Sequence, residues 1–249
     1  MSVFHFKQFD VVNEASSMKV NTDGVLLGAA VTLRDTDHNV LDAGTGTGTI
    51  ALMMAQRYSS MASFASGLCI TGIDIDAPSA EEAAHNFAAS PWPSHLTAEK
   101  VALDDYRSSD ELDLIVSNPP FFEDSLLPPE MRRGMARHSA GEAMSYSDLV
   151  DYAASHLGRE GRLSMILPSD REQSVIRHAA SMSLLPFRIM RIRTTPQKAP
   201  SRVVLELSRL LVKPVEEWLI IQDVHNYPQN KNGYTPEYLA LMHDFYLYA

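Results

Sequence analysis

The chain has 249 residues, of which 45% are hydrophobic and 21% charged, and its net charge is −10. This composition excludes a disordered low-complexity chain and a uniformly basic nucleic-acid binder. The single cysteine excludes an intramolecular disulfide, and no apolar run reaches the roughly eighteen residues of a membrane-spanning helix.

The first forty residues form an N-terminal segment that precedes the first strong strand. Its start, Met1-Ser2-Val3-Phe4-His5-Phe6-Lys7, has no apolar signal core, so the cytoplasm is the expected compartment. Strands are predicted at Val40–Ala43, Ile70–Asp74, Ala98–Leu103, Asp113–Ser117 and Leu163–Leu167, followed by extended stretches at Phe187–Arg193 and Val203–Leu211. Helices are predicted at Gly48–Arg57, Ser79–Ala89, Tyr146–His156 and Glu172–Met182. The second helix carries Pro78 near its first turn and Ser79 three residues before Glu82, a capping-box spacing. The tail reads as a strand at Trp218–Ile221 and a closing helix over Pro236–Tyr248.

Apolar, β-branched runs alternating with helical patterns predict an α/β fold, a Rossmann-like parallel sheet covered on both faces. The expected sheet has seven strands and ends in an antiparallel pair at its C-terminal edge, with the ligand at the carboxyl edge. One unit is expected: an extension over 1–38, a core over 39–211 and a tail over 212–249. Cys69, in an apolar stretch, is expected to be a buried, inert thiol, and Met53, Met54 and Met182 to be core filler.

Val40-Leu41-Asp42-Ala43-Gly44-Thr45-Gly46-Thr47-Gly48 is a strand followed by a glycine-rich turn and a helix start. The spacing is Gly-x-Gly-x-Gly, not that of a dinucleotide site, so a pyrophosphate is disfavoured. Asp42 would repel phosphate but can accept from an ammonium group. The second strand ends at Asp74, where an acid can accept both hydroxyls of a ribose, and Asp76 is assigned to helix capping. Asp42, Gly44, Thr45, Gly46, Gly48, Asp74 and Ile75 therefore indicate an adenosine-containing cofactor without pyrophosphate, which S-adenosylmethionine fits best.

Asn118-Pro119-Pro120-Phe121 closes the apolar run Leu112–Ser117. A polar residue and two prolines are costly at the end of a buried strand unless they have a task. Methylation of a planar NH2 group uses such a turn. That nitrogen is a poor nucleophile because its lone pair is delocalised. The Asn118 side-chain oxygen and the Pro119 carbonyl could hold its two N–H bonds, with Phe121 offering a stacking face.

No His-x-x-x-His, Cys-x-x-Cys or Glu-x-x-His cluster has metal-ligand spacing, and no metal is expected. Ser139, His138 and Glu142 lie outside any nucleophile-elbow pattern. Basic residues gather in two clusters, one at Arg132, Arg133, Arg137 and His138, and one at Arg188, Arg191, Arg193, Lys198 and Arg202. Each reads either as a phosphate-binding face or as a solvated face balancing nearby acids.

The glycine loop, Asp74 and Asn118–Phe121 together resemble class I amino-methylating methyltransferases. Three further features resemble the bacterial tRNA1(Val) (adenine(37)-N6)-methyltransferase family over essentially the whole chain. These are Phe6-Lys7-Gln8-Phe9-x-Val11 with Met18-Lys19-Val20-x-Thr22-Asp23-Gly24-Val25-Leu26-Leu27-Gly28, the Ala136-Arg137-His138 stretch, and the closing Asp244-Phe245-Tyr246-Leu247. The resemblance implies that Asn118 and Pro119 hold an adenine amine, Pro120 shapes the turn and Phe121 stacks on the base. It implies that Lys19, Thr22 and Asp23 close the cofactor's methionine end. Lys7, Arg132, Arg133, Arg137, His138 and Lys198 become candidate RNA contacts on an anticodon stem-loop of tRNA.

One departure concerns the acid that related enzymes carry after the third strand. Ala102 occupies that position, so either Asp104 reaches in or backbone and apolar contacts serve. Other readings stay open: rRNA guanine, DNA adenine or protein glutamine as the amine, or an RNA-binding module without catalysis.

Overall fold

The computed structural model describes residues 2–65, 67–119, 144–227 and 230–247. Ten strands are described: β1 (Val3–His5), β2 (Asp10–Val12), β3 (Asn39–Ala43), β4 (Cys69–Asp74), β5 (Leu96–Lys100), β6 (Leu112–Ser117), β7 (Leu157–Pro168), β8 (Leu185–Arg193), β9 (Arg202–Ser208) and β10 (Val215–Ile220). β1 and β2 form an antiparallel hairpin, and the other eight build one sheet in the order β10-β8-β9-β7-β6-β3-β4-β5. Only β9 runs against its neighbours.

The expected sheet is corrected in two respects. It has eight strands, because the tail strand β10 pairs in parallel with β8. The antiparallel pair therefore lies inside the sheet, since β10 satisfies the backbone groups that β8 would otherwise leave at an open edge.

The helices are α1 (Thr22–Ala30), α2 (Thr49–Tyr58), α3 (Ala77–Ala89), α4 (Tyr146–His156), α5 (Glu172–Ser181) and α6 (Pro236–Met242). Alternate residues of the strands feed two cores. Val40, Leu114, Val116, Ile166 and Val204 pack with α1, α2 and the N-terminal hairpin, whereas Leu41, Ile115, Leu163, Met165 and Leu205 pack under α4 and α5. Met53 and Met54 are fully buried, as their helical positions imply.

Two local expectations change. Asp76 caps α3 by accepting from the Ser79 N–H, which leaves Glu82 free of a capping box. Glu82 instead accepts three backbone N–H groups from Glu14, Ala15 and Ser16 at 2.7, 2.6 and 3.1 Å. Cys69 is exposed rather than buried, because at the first position of β4 its side chain points away from the core that takes Leu68 and Ile70 on either side.

At the amino end of the sheet a buried cluster fixes β3 against β7. Arg162 donates two bonds to Asp37 at 3.0 and 2.7 Å, and the Tyr58 hydroxyl donates a third at 2.6 Å. Asp37 and Arg162 are each 1% exposed.

Candidate active site

The site is assembled where β3, β4 and β6 end. The Ser117 hydroxyl donates to the Ala43 carbonyl at 2.7 Å, so Asn118 and Gly44 leave the sheet side by side. The N–H groups of Gly44 and Thr45 both donate to the Ile73 carbonyl at 2.9 Å, and the Gly46 N–H donates to Asp74 at 3.0 Å. The glycine loop is thereby clamped to the end of β4.

Gly44 and Gly46 have φ of 72° and 56°, the left-handed region that favours glycine. Gly48 is left-handed too, with φ of 80°, and has a second reason to be glycine. A Cβ there would lie 2.4 Å from the Phe87 ring, so its bareness lets α2 pack against α3.

Asp42 is fully buried, and its Oδ2 accepts the Thr45 hydroxyl at 2.7 Å. Its Oδ1 meets no donor at hydrogen-bonding distance among the described residues. Burial lifts this carboxyl to about 7, against the Thr45 hydroxyl and the more remote Ala51 N–H, which hold it lower. Asp74 is half-buried and accepts from Gly46 and from the Asp76 N–H at 2.9 Å. Burial raises its carboxyl too, while those N–H groups oppose the shift. Ile75 beside it is 49% exposed, an apolar side chain left open at the mouth of the site.

The N-terminal segment closes the other side. Its backbone, held on Glu82, brings Met18 to Asn21 over the glycine loop, and Asn21 caps α1 by accepting from the Gly24 N–H at 2.9 Å. The Asn118 Nδ2 then faces Asn21 Oδ1 at 3.4 Å and Met18 Sδ at 3.7 Å. Asn21 Oδ1 already accepts a main-chain N–H, so Asn118 must turn its NH2 toward it. The Asn118 Oδ1 is left buried, with no donor among the described residues. Pro119 is buried beside it.

Asn118, Gly44, Gly46, Thr45 and Lys19 line one small cleft, with Met18, Asn21 and Ile50 among their partners there. Its volume of about 30 Å³ admits a group the size of a methyl or a water. Asp74, bonded to the Gly46 N–H, and Ile75 are outside its lining. A larger cleft of about 490 Å³, lined by Gln8, Gln56, Arg57 and Asp244, contains none of the predicted residues.

The remaining predicted residues divide. Thr22 opens α1, and Asp23 is paired with Arg202 at 2.8 Å, which ties α1 to the start of β9. Asp104 is exposed in a helical turn, Leu103–Asp105, four residues beyond the end of β5. Lys7 donates to the His243 carbonyl and so holds the tail. Lys198 is exposed in the β8–β9 connection. Pro120, Phe121, Arg132, Arg133, Arg137 and His138 lie outside the described residues. Arg188 and Arg191 balance acids, pairing with Glu206 and Glu217 and with Glu172 and Glu216.

Asn21, Glu82 and Met144 are site-building residues that the sequence reading missed. Met144 lies 3.5 Å from where a Gly44 Cβ would be. For Asn21 a signal existed: an Asn before Thr-Asp-Gly and an apolar run is a helix-capping pattern.

The donor set fits S-adenosylmethionine: a buried acid for an ammonium group, a bare left-handed loop, a strand-end acid for a ribose, and, on a residue that lines the cleft, a buried acceptor without a donor. Among the described residues, no group of three or more His, Cys, Asp or Glu could hold a metal, and no helix is long and apolar enough to cross a membrane.

The methyltransferase small domain family matches residues 16–179. The tRNA1(Val) (adenine(37)-N6)-methyltransferase of Phocaeicola vulgatus is 39% identical over 244 residues, covering 98% of this chain and 97% of its own. The enzyme of that name from Flavobacterium psychrophilum is 37% identical over 247 residues, covering 98% and 99%. The crystal structure of a predicted O-methyltransferase from Agrobacterium tumefaciens shares the fold, with a TM-score of 0.63, 16% identity and coverage of 90% and 96%. With the methyltransferase domain matched and near full-length relatives well above 30% identity, the chain belongs to the tRNA1(Val) (adenine(37)-N6)-methyltransferase family.

Proposed function

We propose that this protein methylates the N6 amine of adenine 37 in tRNA1(Val), working on the anticodon stem-loop. Bound S-adenosylmethionine supplies an electrophilic methyl group on a sulfonium. Every other requirement falls on the chain. The observation that carries the reading is the buried Asn118 Oδ1 without a donor, aimed away from Asn21. A buried acceptor left unmatched costs about 1–3 kcal/mol, and an incoming amine N–H removes that cost.

Asn118 Oδ1 takes one N–H of the adenine amine and the Pro119 carbonyl takes the other. Two acceptors draw the nitrogen toward a tetrahedral geometry and return its lone pair from the ring, which is what an in-line attack needs. Asp42 faces the donor's ammonium, Gly44 and Gly46 let its chain approach the backbone, and Asp74 receives the ribose. Ile75 covers one face of the donor's adenine, and the exposed Asp104 lies near enough in the chain to meet its amine. Lys19, Thr22 and Asp23 form the N-terminal wall, with Asp23 acting through its pair with Arg202. Anticodon-loop bases are unpaired, so little unstacking energy is required.

The test is transfer of labelled methyl groups into unmodified tRNA, with the product digested to nucleosides. Wild type is expected to give N6-methyladenosine. Asn118→Ala should lose about 10²–10³ in kcat, the range seen when one preorganised transition-state partner is deleted. Label found only in rRNA or protein would remove the tRNA assignment.

A further inference from the structure

The surface far from the cleft carries an aromatic side chain that the fold does not need. Trp218 lies on β10, the outer strand, and is 53% exposed, whereas the next residue, Leu219, is buried in the core at 4%. Across the strand pair Trp218 is opposite Arg191, and Arg193 is two residues further along β8 on the same face. The guanidinium carbons of Arg193 and Arg191 lie 4.5 and 5.7 Å from the indole ring. These two cations differ in their obligations. Arg191 is bound to Glu172 and Glu216, while Arg193 has no carboxylate at ion-pair distance among the described residues. Its guanidinium donates only to the Pro196 carbonyl, at 3.4 Å, and its charge is balanced by no acid among the described residues.

β8 runs in the same direction as β6, because it is antiparallel to β9 and β9 is antiparallel to β7. Arg193 therefore ends its strand at the carboxyl edge, the edge from which Asn118 projects. The connection that follows carries the exposed Lys198. Four strand spacings separate β10 from β6, or about 19 Å across the sheet. That separation is comparable to the width of an RNA stem.

We propose that Trp218 and Arg193 form a second contact surface for the RNA, a stacking platform for an unpaired base with Arg193 and Lys198 on the adjoining phosphates. This rests on the tRNA reading above and extends it to a surface outside the reaction cleft. Every base has a π face, so the platform supplies affinity and alignment without selecting a sequence. It also answers the net charge of −10: stacking and one free guanidinium need no broadly basic surface.

The chain has two tryptophans, and Trp92 is only 7% exposed, so the emission open to a collisional quencher reports Trp218. Adding unmodified tRNA transcript to the full chain should quench that emission and shield it from acrylamide. Trp218→Ala should raise the KM for tRNA about tenfold while leaving kcat where it was, and Trp218→Phe should restore most of the loss. Arg193→Gln should flatten the salt dependence of tRNA binding by about one counterion. An unchanged KM in Trp218→Ala, with its melting temperature retained, overturns the platform. So does shielding of Trp218 in the free protein that grows with protein concentration, which would make β10 a surface for a second copy of this chain. Quenching by tRNA that is never methylated would support the platform and overturn the assigned reaction instead.

Discussion

Asp37, two residues before β3, and Asp42, near its carboxyl end, sit five residues apart and are both buried, yet they are treated in opposite ways. Asp37 receives two guanidinium bonds, a phenol bond and the Arg34 N–H at 2.8 Å. Asp42 receives one hydroxyl and keeps an oxygen without a donor at bonding distance. The first acid is fully matched and holds the sheet together. The second is under-matched, and with Asn118 Oδ1 it leaves the carboxyl edge short of donors. Folding alone gains nothing from that shortage, and under the proposed reaction a cationic donor and an amine substrate would relieve it.

Breaking the matched end should have the largest effect. Arg162→Met leaves Asp37 buried without its cation and should cost about 3–5 kcal/mol, read as a fall in the urea midpoint at constant slope. The under-matched end should respond to pH. Burial moves the Asp42 carboxyl from 3.8 to about 7, so the folded state binds that proton more tightly than the unfolded state does. The stability associated with it is fully present below about pH 4 and is lost as pH rises through about 7. The total change is up to about 4 kcal/mol. Urea midpoints of the cofactor-free protein should fall from about pH 5 to about pH 8, and Asp42→Asn should flatten that slope.

Gly48→Ala tests packing at the boundary of the site. The methyl would meet Phe87 in a left-handed conformation, and a loss of about 2 kcal/mol is expected by thermal melting. The smallest stability change belongs to Asn21. Asn21→Ala removes a cap worth about 1 kcal/mol, but it also frees the Asn118 amide and should lower kcat. Asn21→Asp keeps both acceptor roles and should retain activity. Equal kcat in all three proteins would separate the cap from the chemistry.

The residues legible in the sequence were those whose chemistry is local. The glycine loop, Asp74 and Asn118–Phe121 each announce themselves within a few positions, because a turn or a strand end forces unusual residues together. The alternating strands and helices gave the Rossmann-like sheet for the same reason. What escaped were pairings across long separations. Glu82 looked like a capping acid, since nothing near it reveals the three N–H groups of Glu14–Ser16. Arg162 reads as an ordinary surface cation until β7 places it beside Asp37. The eighth strand was visible at Trp218–Ile221, but its partner on β8 was not. For Arg188 and Arg191 the choice between a phosphate face and nearby acids stayed open, because those acids come from three other elements.

Helix α1 is made early in the sequence and part of its fastening comes late. Asp23 waits for Arg202, the Thr32 N–H and hydroxyl wait for Glu206, and the Ala30 carbonyl waits for Arg188. A ribosome must therefore deliver most of the polypeptide before α1 has its anchors. A nascent chain ending after β7 would carry the glycine loop, Asp74 and Asn118 while Asp23, Thr32 and Ala30 still lacked these partners. Such distant closure raises contact order and slows folding.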